Sequence, residues 1–390
     1  MTLSTILDQA ARQLIHTIPA GLPAGSTPPA GVALAVRAPG FDQTAHAGFR
    51  ALPTSQTDTA PLGLDTQHDL ASVTKVVATT TALLRLVSDR LLKLDDPAHR
   101  YLPRFCDGRK NEITVRQLLQ HRAGLWEWQP LYLAADTVDA GFEFVDRHPL
   151  RYAPGTARHY SDFGFIQLGR IIGSVTGLPL PDAIGALVTG PLGLRSTQFA
   201  RSLSDDVATS SLGDQAEFVM VDTGTPYPVP YKSGDFSGWR RTPLRGVVND
   251  GNAFHVFDGV SGHAGLFSTL PDLMTFADAF AHYGDHEQLW RPEVAEEFFA
   301  AGPDAEQALG FRRSQLKVGG RQLDLLWHPG FVGCVVGFVP GHGVSLGLAS
   351  NRLVTPGIPI PTDSLWERLR GAATAVLDET LGSTHSAART

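Results

Sequence analysis

Residues 71–92, ASVTKVVATTTALLRLVSDRLL, contain no Gly or Pro and are apolar on most sides. A helix that is apolar all round has to be buried. The chain must therefore wrap a core around this segment, which Leu94-Asp-Asp-Pro97 ends. Most of the rest cannot be helical in the same way. The 390 residues include 40 Gly and 27 Pro, too many turn formers for a bundle or coiled coil. With 43% apolar residues the core can be large. At ~150 residues per domain, the length suggests two or three units, or one fold with an insertion.

Periodicity sets the order of elements. Leu3, Ile6, Leu7, Ala10, Leu14 and Ile15 mark an N-terminal helix over 3–18. Gly31–Arg37 reads as a buried strand, Pro39-Gly40 as a turn and Thr44–Ala51 as its hairpin partner. Ile113–Leu119 is helical with Thr114 as N-cap, and Phe163–Val175 is an apolar helix ended by Gly177. A shorter helix is expected over 182–188, and residues 196–262 show no sustained period. Thr269–Asp272 starts a helix to about 282, residues 308–350 read as strands, and a last helix runs over about 362–380 before a loose tail. No internal repeat is seen. Strands at both ends around a helix-rich block predict an α+β fold in one unit. Its sheet part would come from about 1–65 and 255–385, and its helical and loop part from about 70–255.

Several functions are excluded. The net charge of −7 lacks the electrostatic footprint of a nucleic-acid binder. No apolar run reaches ~18 residues, so no membrane span is expected. MTLSTILDQAARQLIHTI is amphipathic, unlike a secretory signal. Cys106 and Cys334 form neither a disulfide framework nor a metal spacing. A reduced, cytoplasmic protein is expected.

Three elements carry chemistry. Ser72 and Lys75 stand at i and i+3 at the front of the apolar segment, where side chains share a face ~5–6 Å apart. A serine hydroxyl needs a base, and burial lowers a lysine pKa from ~10.4 towards that role. A second Ser-x-x-Lys, Ser314–Lys317, lies in a polar stretch ending in Gly319-Gly320. Tyr160-Ser-Asp162 precedes the Phe163 helix, where a phenol can relay protons; the rival Tyr283-Gly-Asp285 has no such helix after it. A cation-x-Gly occurs at His263, His282, Lys317 and His328. Only His328 lies between strand-like runs, where Gly330 would let a substrate approach the backbone. For His263 the expected role is ordering its loop.

Taken together, Ser-x-x-Lys, Tyr-x-Asp and His-x-Gly in this order resemble the serine β-lactamase-like superfamily. The resemblance is greatest to its class C branch of family VIII-type carboxylesterases and D-alanyl-D-alanine carboxypeptidases. LASVTK (70–75), LLKLDDPAHRYLP (91–103), VRQLLQHRAGL (115–125), YSDFGFIQLG (160–169), PLGLRST (191–197), GHAGLFST (262–269) and NRLVTP (351–356) extend it. The resemblance implies an antiparallel sheet flanked by helices with an inserted helical region. It implies Ser72 as the acylated nucleophile, with Lys75 and Tyr160 sharing base and acid work. His328 and Gly330 would form the third motif, and the N–H groups of Ser72 and Phe331 the oxyanion hole. No metal or organic cofactor is implied, and the partner is a small ester or amide.

Two residues depart from the class C pattern. Asp162 replaces Asn and cannot donate a hydrogen bond to a substrate carbonyl. His328 replaces Lys, and a mostly neutral imidazole is a poorer partner for a carboxylate. Small esters are therefore expected to be preferred to β-lactams or D-Ala-D-Ala peptides. Trp126, Trp128, Tyr227, Tyr231 and Trp239 are expected as aromatic pocket walls. A binding or regulatory protein of the same fold, and acyl transfer to an acceptor other than water, stay open, as does the oligomeric state.

Overall fold

The computed structural model describes residues 3–52, 60–199 and 203–387. Its frame is a six-stranded antiparallel sheet drawn from both ends of the chain. The strands are β1 (Gly31–Ala38), β2 (Phe41–Gly48), β3 (Arg312–Val318), β4 (Arg321–Pro329), β5 (Val335–Val339) and β6 (Val344–Ser350), in the order β2-β1-β6-β5-β4-β3. The first hairpin returns at Phe41 rather than Thr44, because Pro39-Gly40 alone makes the turn and Ala38 pairs with Phe41. Alternation along β1 divides the core. Val32, Leu34 and Val36 pack with Leu7 and Leu14 of α1 (Leu3–His16) and with Trp366 and Leu369 of a C-terminal helix, Thr362–Ala387. Ala33 and Ala35 face the larger core on the other side. The C-terminal helix continues past the expected residue 380 into the segment read as a loose tail.

The inserted region carries the apolar segment, in a form that differs from a single α-helix. Ala71–Val73 is a 3₁₀ turn, Lys75–Thr80 a π-helix, and only Thr81–Ser88 (α2) is α-helical. Two threonine hydroxyls bond to carbonyls here: Thr81 Oγ1 donates to that of Val76 at 2.7 Å and Thr79 Oγ1 to that of Gly262 at 2.7 Å. The expected 182–188 helix is likewise split, into an α turn over Leu180–Ile184 and a π turn over Gly185–Thr189. Asp162–Thr176 (α3) begins at the Ser161 cap and ends at left-handed Gly177, and a Thr114–Gln117 capping box opens Val115–Leu119. The 196–262 span holds a helix without apolar periodicity, Gln215–Thr223 (α4), a short ladder of Thr209–Ser211 with Leu244–Arg245, and a turn of helix at Gly251–His255. Among the described residues no single helix is long and apolar enough to cross a membrane.

Candidate active site

Ser72 is presented by a strained turn. Ala71 has φ of 44°, a left-handed conformation that costs a non-glycine residue about 1–3 kcal/mol. The buried Asp69 carboxylate holds it, accepting the Ala71 N–H at 2.7 Å and the Asn249 N–H at 2.6 Å. Burial raises the Asp69 pKa to about 6, against the opposing effect of these two bonds. Gly330 closes the turn from the sheet side, since a Cβ there would run into the Leu70 carbonyl. The sequence suggested that Gly330 leaves room for substrate; it does line the cavity over Ser72, and its missing Cβ also makes room for the segment that carries Ser72.

One turn further, the Lys75 ammonium is fully buried. Nζ lies 2.9 Å from Ser72 Oγ, 3.1 Å from the His263 carbonyl and 2.7 Å from Asp162 Oδ1. It also sits 4.9 Å from the Tyr160 ring centroid. This corrects the expectation for Lys75. Desolvation lowers its pKa, but Asp162 and Tyr160 together outweigh that and raise it. Tyr160 is pushed up mainly by burial, against the lowering effect of Lys75, so it remains a phenol at neutral pH. Asp162 is the first residue of α3, brought in by the Ser161 cap.

Several neighbours were not singled out from sequence. His121 packs at a tilt against the Tyr160 ring, 4.6 Å between centroids, and accepts the Ser161 N–H on Nδ1 at 3.0 Å. Burial and the Lys75 charge hold it far below its usual range, hence neutral. His263 does order its loop, and it does more: its ring bridges Ser261 Oγ at 2.7 Å and Asp250 Oδ1 at 3.0 Å, while its carbonyl anchors Lys75. Asp162, Asp250 and His263 present three ligand atoms within 4.8 Å of one another, enough for a small cation. Lys75 brings a positive charge of the chain itself against Asp162 there.

A cavity of about 340 Å³ opens over Ser72. Tyr160, Asp162, Trp128, Tyr227, Gly330 and Phe331 line it, as do Glu217 and Asp250. Trp126 and Trp239 do not. Trp126 Nε1 donates to the Pro149 carbonyl, and Trp239 packs on Tyr132 and Phe236 behind the wall. Tyr231 is also away from the lining. His328 is buried behind Pro329, with its ring 6.0 Å from Tyr160, and is held neutral by burial and by Lys75. Phe331 is 40% exposed at the rim, and among the described residues its N–H has no protein acceptor. Ser314 and Lys317, the second Ser-x-x-Lys, lie on strand β3, where residues three apart face opposite sides. Tyr283 is bonded to Glu296, away from the cavity.

The Beta-lactamase family profile matches residues 25–364. The chain belongs to the Beta-lactamase family. This family member is a serine hydrolase, and similarity to curated proteins agrees. It is 31% identical over 324 residues to a Bacillus subtilis N-acetylmuramyl-L-alanine amidase, covering 75% of this chain and 69% of that protein. It is also 31% identical to a putative D-alanyl-D-alanine carboxypeptidase of Escherichia coli, covering 75% and 70%. A penicillin-binding protein homologue from Caulobacter crescentus shares the fold at a TM-score of 0.68 and 22% identity, covering 97% of this chain and 98% of that one.

In this Beta-lactamase-family hydrolase the cavity carries both signs of charge. Arg312 pairs with Asp363 at 3.1 Å and lies over Trp327. Arg352 donates to the carbonyls of Phe331 at 2.7 Å and Ile360 at 3.1 Å. On the opposite wall Glu217 accepts from Tyr132 OH and the Gly251 N–H, and burial beside Asp250 raises its pKa to about 8.

Proposed function

We propose that this protein hydrolyses small carboxylic esters through an acyl-enzyme on Ser72. The observation that carries the reading is the 2.9 Å contact of Ser72 Oγ with Lys75 Nζ at the base of an open cavity. Ser72 Oγ attacks the acyl carbon, and the oxyanion is received by the N–H groups of Ser72 and Phe331. Tyr160, a phenol in reach of both Ser72 and Lys75, donates to the leaving alkoxide. Water then attacks the acyl-enzyme by the same route in reverse.

The ester preference rests on what the cavity offers a carboxylate. His328 is neutral, Arg312 is engaged by Asp363, and Arg352 is engaged by two carbonyls. With p-nitrophenyl butyrate, nitrocefin and a D-Ala-D-Ala peptide as substrates, the ester should have the highest kcat/KM. A fluorophosphonate should add one equivalent to the peptide containing Ser72. Nitrocefin turning over far faster than the ester would overturn the substrate class; absence of any Ser72 adduct would overturn the mechanism. Two free thiols, Cys106 exposed and Cys334 buried, suit work in a reducing compartment such as the cytoplasm.

A second reading is favoured by the acidic wall. Asp250, held ionised by His263, and Glu217, which a bound cation would deprotonate, would receive a substrate ammonium, and splitting an amide is what the amidase relative is named for. Under it, amino-acid esters and amides with a free amine outrun their N-acetyl analogues, and Glu217→Gln erases the difference. Equal rates for the free and acetylated forms would remove this reading.

A further inference from the structure

Lys75 has no lone pair to offer. Three oxygens lie within 3.1 Å of Nζ: Ser72 Oγ at 2.9 Å and the His263 carbonyl at 3.1 Å, which accept hydrogen bonds, and Asp162 Oδ1 at 2.7 Å, its ion-pair partner. To take the Ser72 proton, the ammonium must release one of its own. A peptide carbonyl cannot hold a proton at neutral pH, and Ser72 is the donor. Of the three, only the Asp162 carboxylate can receive it.

We propose that Asp162 accepts a proton from Lys75 as Lys75 takes the proton of Ser72, so that the lysine carries charge through acylation without ever being a free amine. The inference rests on Ser72 being the nucleophile. In the first step the Ser72 O–H bond breaks and an N–H bond forms on Lys75. A different Lys75 N–H breaks, and an O–H forms on Asp162. The freed Oγ electron pair makes the bond to the acyl carbon, and the carbonyl π pair moves to oxygen. When the tetrahedral species collapses, the bond to the leaving oxygen breaks. That oxygen takes the Tyr160 phenol proton, Lys75 re-protonates Tyr160, and Asp162 returns its proton to Lys75. The lysine is an ammonium before and after, and no net charge is created in the buried site, where creating one is costly.

Besides Asp162, the titratable and charged groups facing Lys75 are Tyr160, His121, Asp250, His263 and His328, with Arg312 acting on the two neutral imidazoles His121 and His328. Of these, Tyr160 reaches both Lys75 and Ser72, but as a neutral phenol it is a proton donor to the leaving oxygen and not the acceptor of the first step. Asp162 therefore acts through Lys75 and is a positioning and proton-accepting partner, with the reacting atoms left to Ser72.

Asp162→Asn separates this relay from a simple lysine base, because the two give opposite signs. Removing the carboxylate removes the partner that holds the ammonium, so a lysine acting alone would be deprotonated more readily. Acylation would then speed up at pH 7, and the rising limb of its pH profile would move to lower pH. Under the relay, Asn cannot take the proton. Acylation by p-nitrophenyl acetate, read as the pre-steady-state burst, should fall by on the order of 10²-fold at pH 7. The rising limb should move to higher pH, where Lys75 can lose a proton unaided, with KM little changed. Asp162→Glu, which keeps an acceptor, should recover most of the rate and the wild-type limb; it also decides the matter if Asn prevents folding. A D162N burst as fast as wild type or faster, or a D162E limb moved to higher pH, overturns the inference. A wild-type protein that forms no Ser72 adduct overturns the underlying reading instead.

Discussion

Ser72→Ala and Lys75→Ala each lower ester turnover by on the order of 10⁴–10⁶-fold, and the double variant loses little more than either alone. Groups that act as one unit are not additive: once Oγ is gone, the lysine has no proton to move, and without the lysine the hydroxyl stays protonated. Residual rate comes from the oxyanion donors and binding, which both variants keep. The two differ in stability. Ser72→Ala removes one hydroxyl from the cavity floor and should leave the urea midpoint almost unchanged. Lys75→Ala leaves Asp162 next to Asp250 without its cation. Breaking a buried pair costs about 3–5 kcal/mol, and the lower end applies because the Asp162 side chain is 14% exposed. Burst kinetics and urea titration of the three variants check this. Losses that multiply in the double variant would mean that Lys75 and Ser72 serve separate steps.

The parts of the fold that were legible are those where local chemistry and packing agree. Val32, Leu34 and Val36 alternate with alanines along β1, Thr114 and Gln117 spell a capping box, and Gly177 ends α3. Each signal lies within a few residues of the feature it sets. The hidden parts depend on distant partners. α4 has no apolar stripe, because its inward residues are Val221 and the acid Glu217, which is satisfied by Tyr132 and Gly251. The π-helix arises where Thr79 reaches a carbonyl 183 positions away. Trp126 and Trp239 look like wall residues in composition, yet each N–H is spent on a carbonyl outside the cavity. The site shows the same division. The spacing of Ser72 and Lys75 is local and readable. The charge state of Lys75 is set by Asp162, 87 residues later, so burial alone pointed in the wrong direction.

Asp69→Ala should destabilise the protein and disarm Ser72 together, with a pH signature that identifies the cause. Removing the carboxylate leaves the Ala71 and Asn249 N–H groups without acceptors. Each such buried group costs about 1–3 kcal/mol. The left-handed Ala71 turn then has nothing to hold it, and a shift of ~1 Å in the nucleophile is enough for a loss of about 10²-fold. The sign of the pH effect follows from the raised pKa. Folded Asp69 binds its proton more tightly than the unfolded chain does, at about 6 against 3.8. Its contribution to wild-type stability is therefore complete below pH ~4 and is lost as the pH rises to about 6, by roughly 2–3 kcal/mol. The gap between wild type and Asp69→Ala should be widest below pH ~4 and narrow by that amount above pH 7. Thermal or urea unfolding across this range is the measurement. A gap that widens with rising pH would show that the ionised carboxylate is the stabilising form, and that its two N–H partners outweigh its burial.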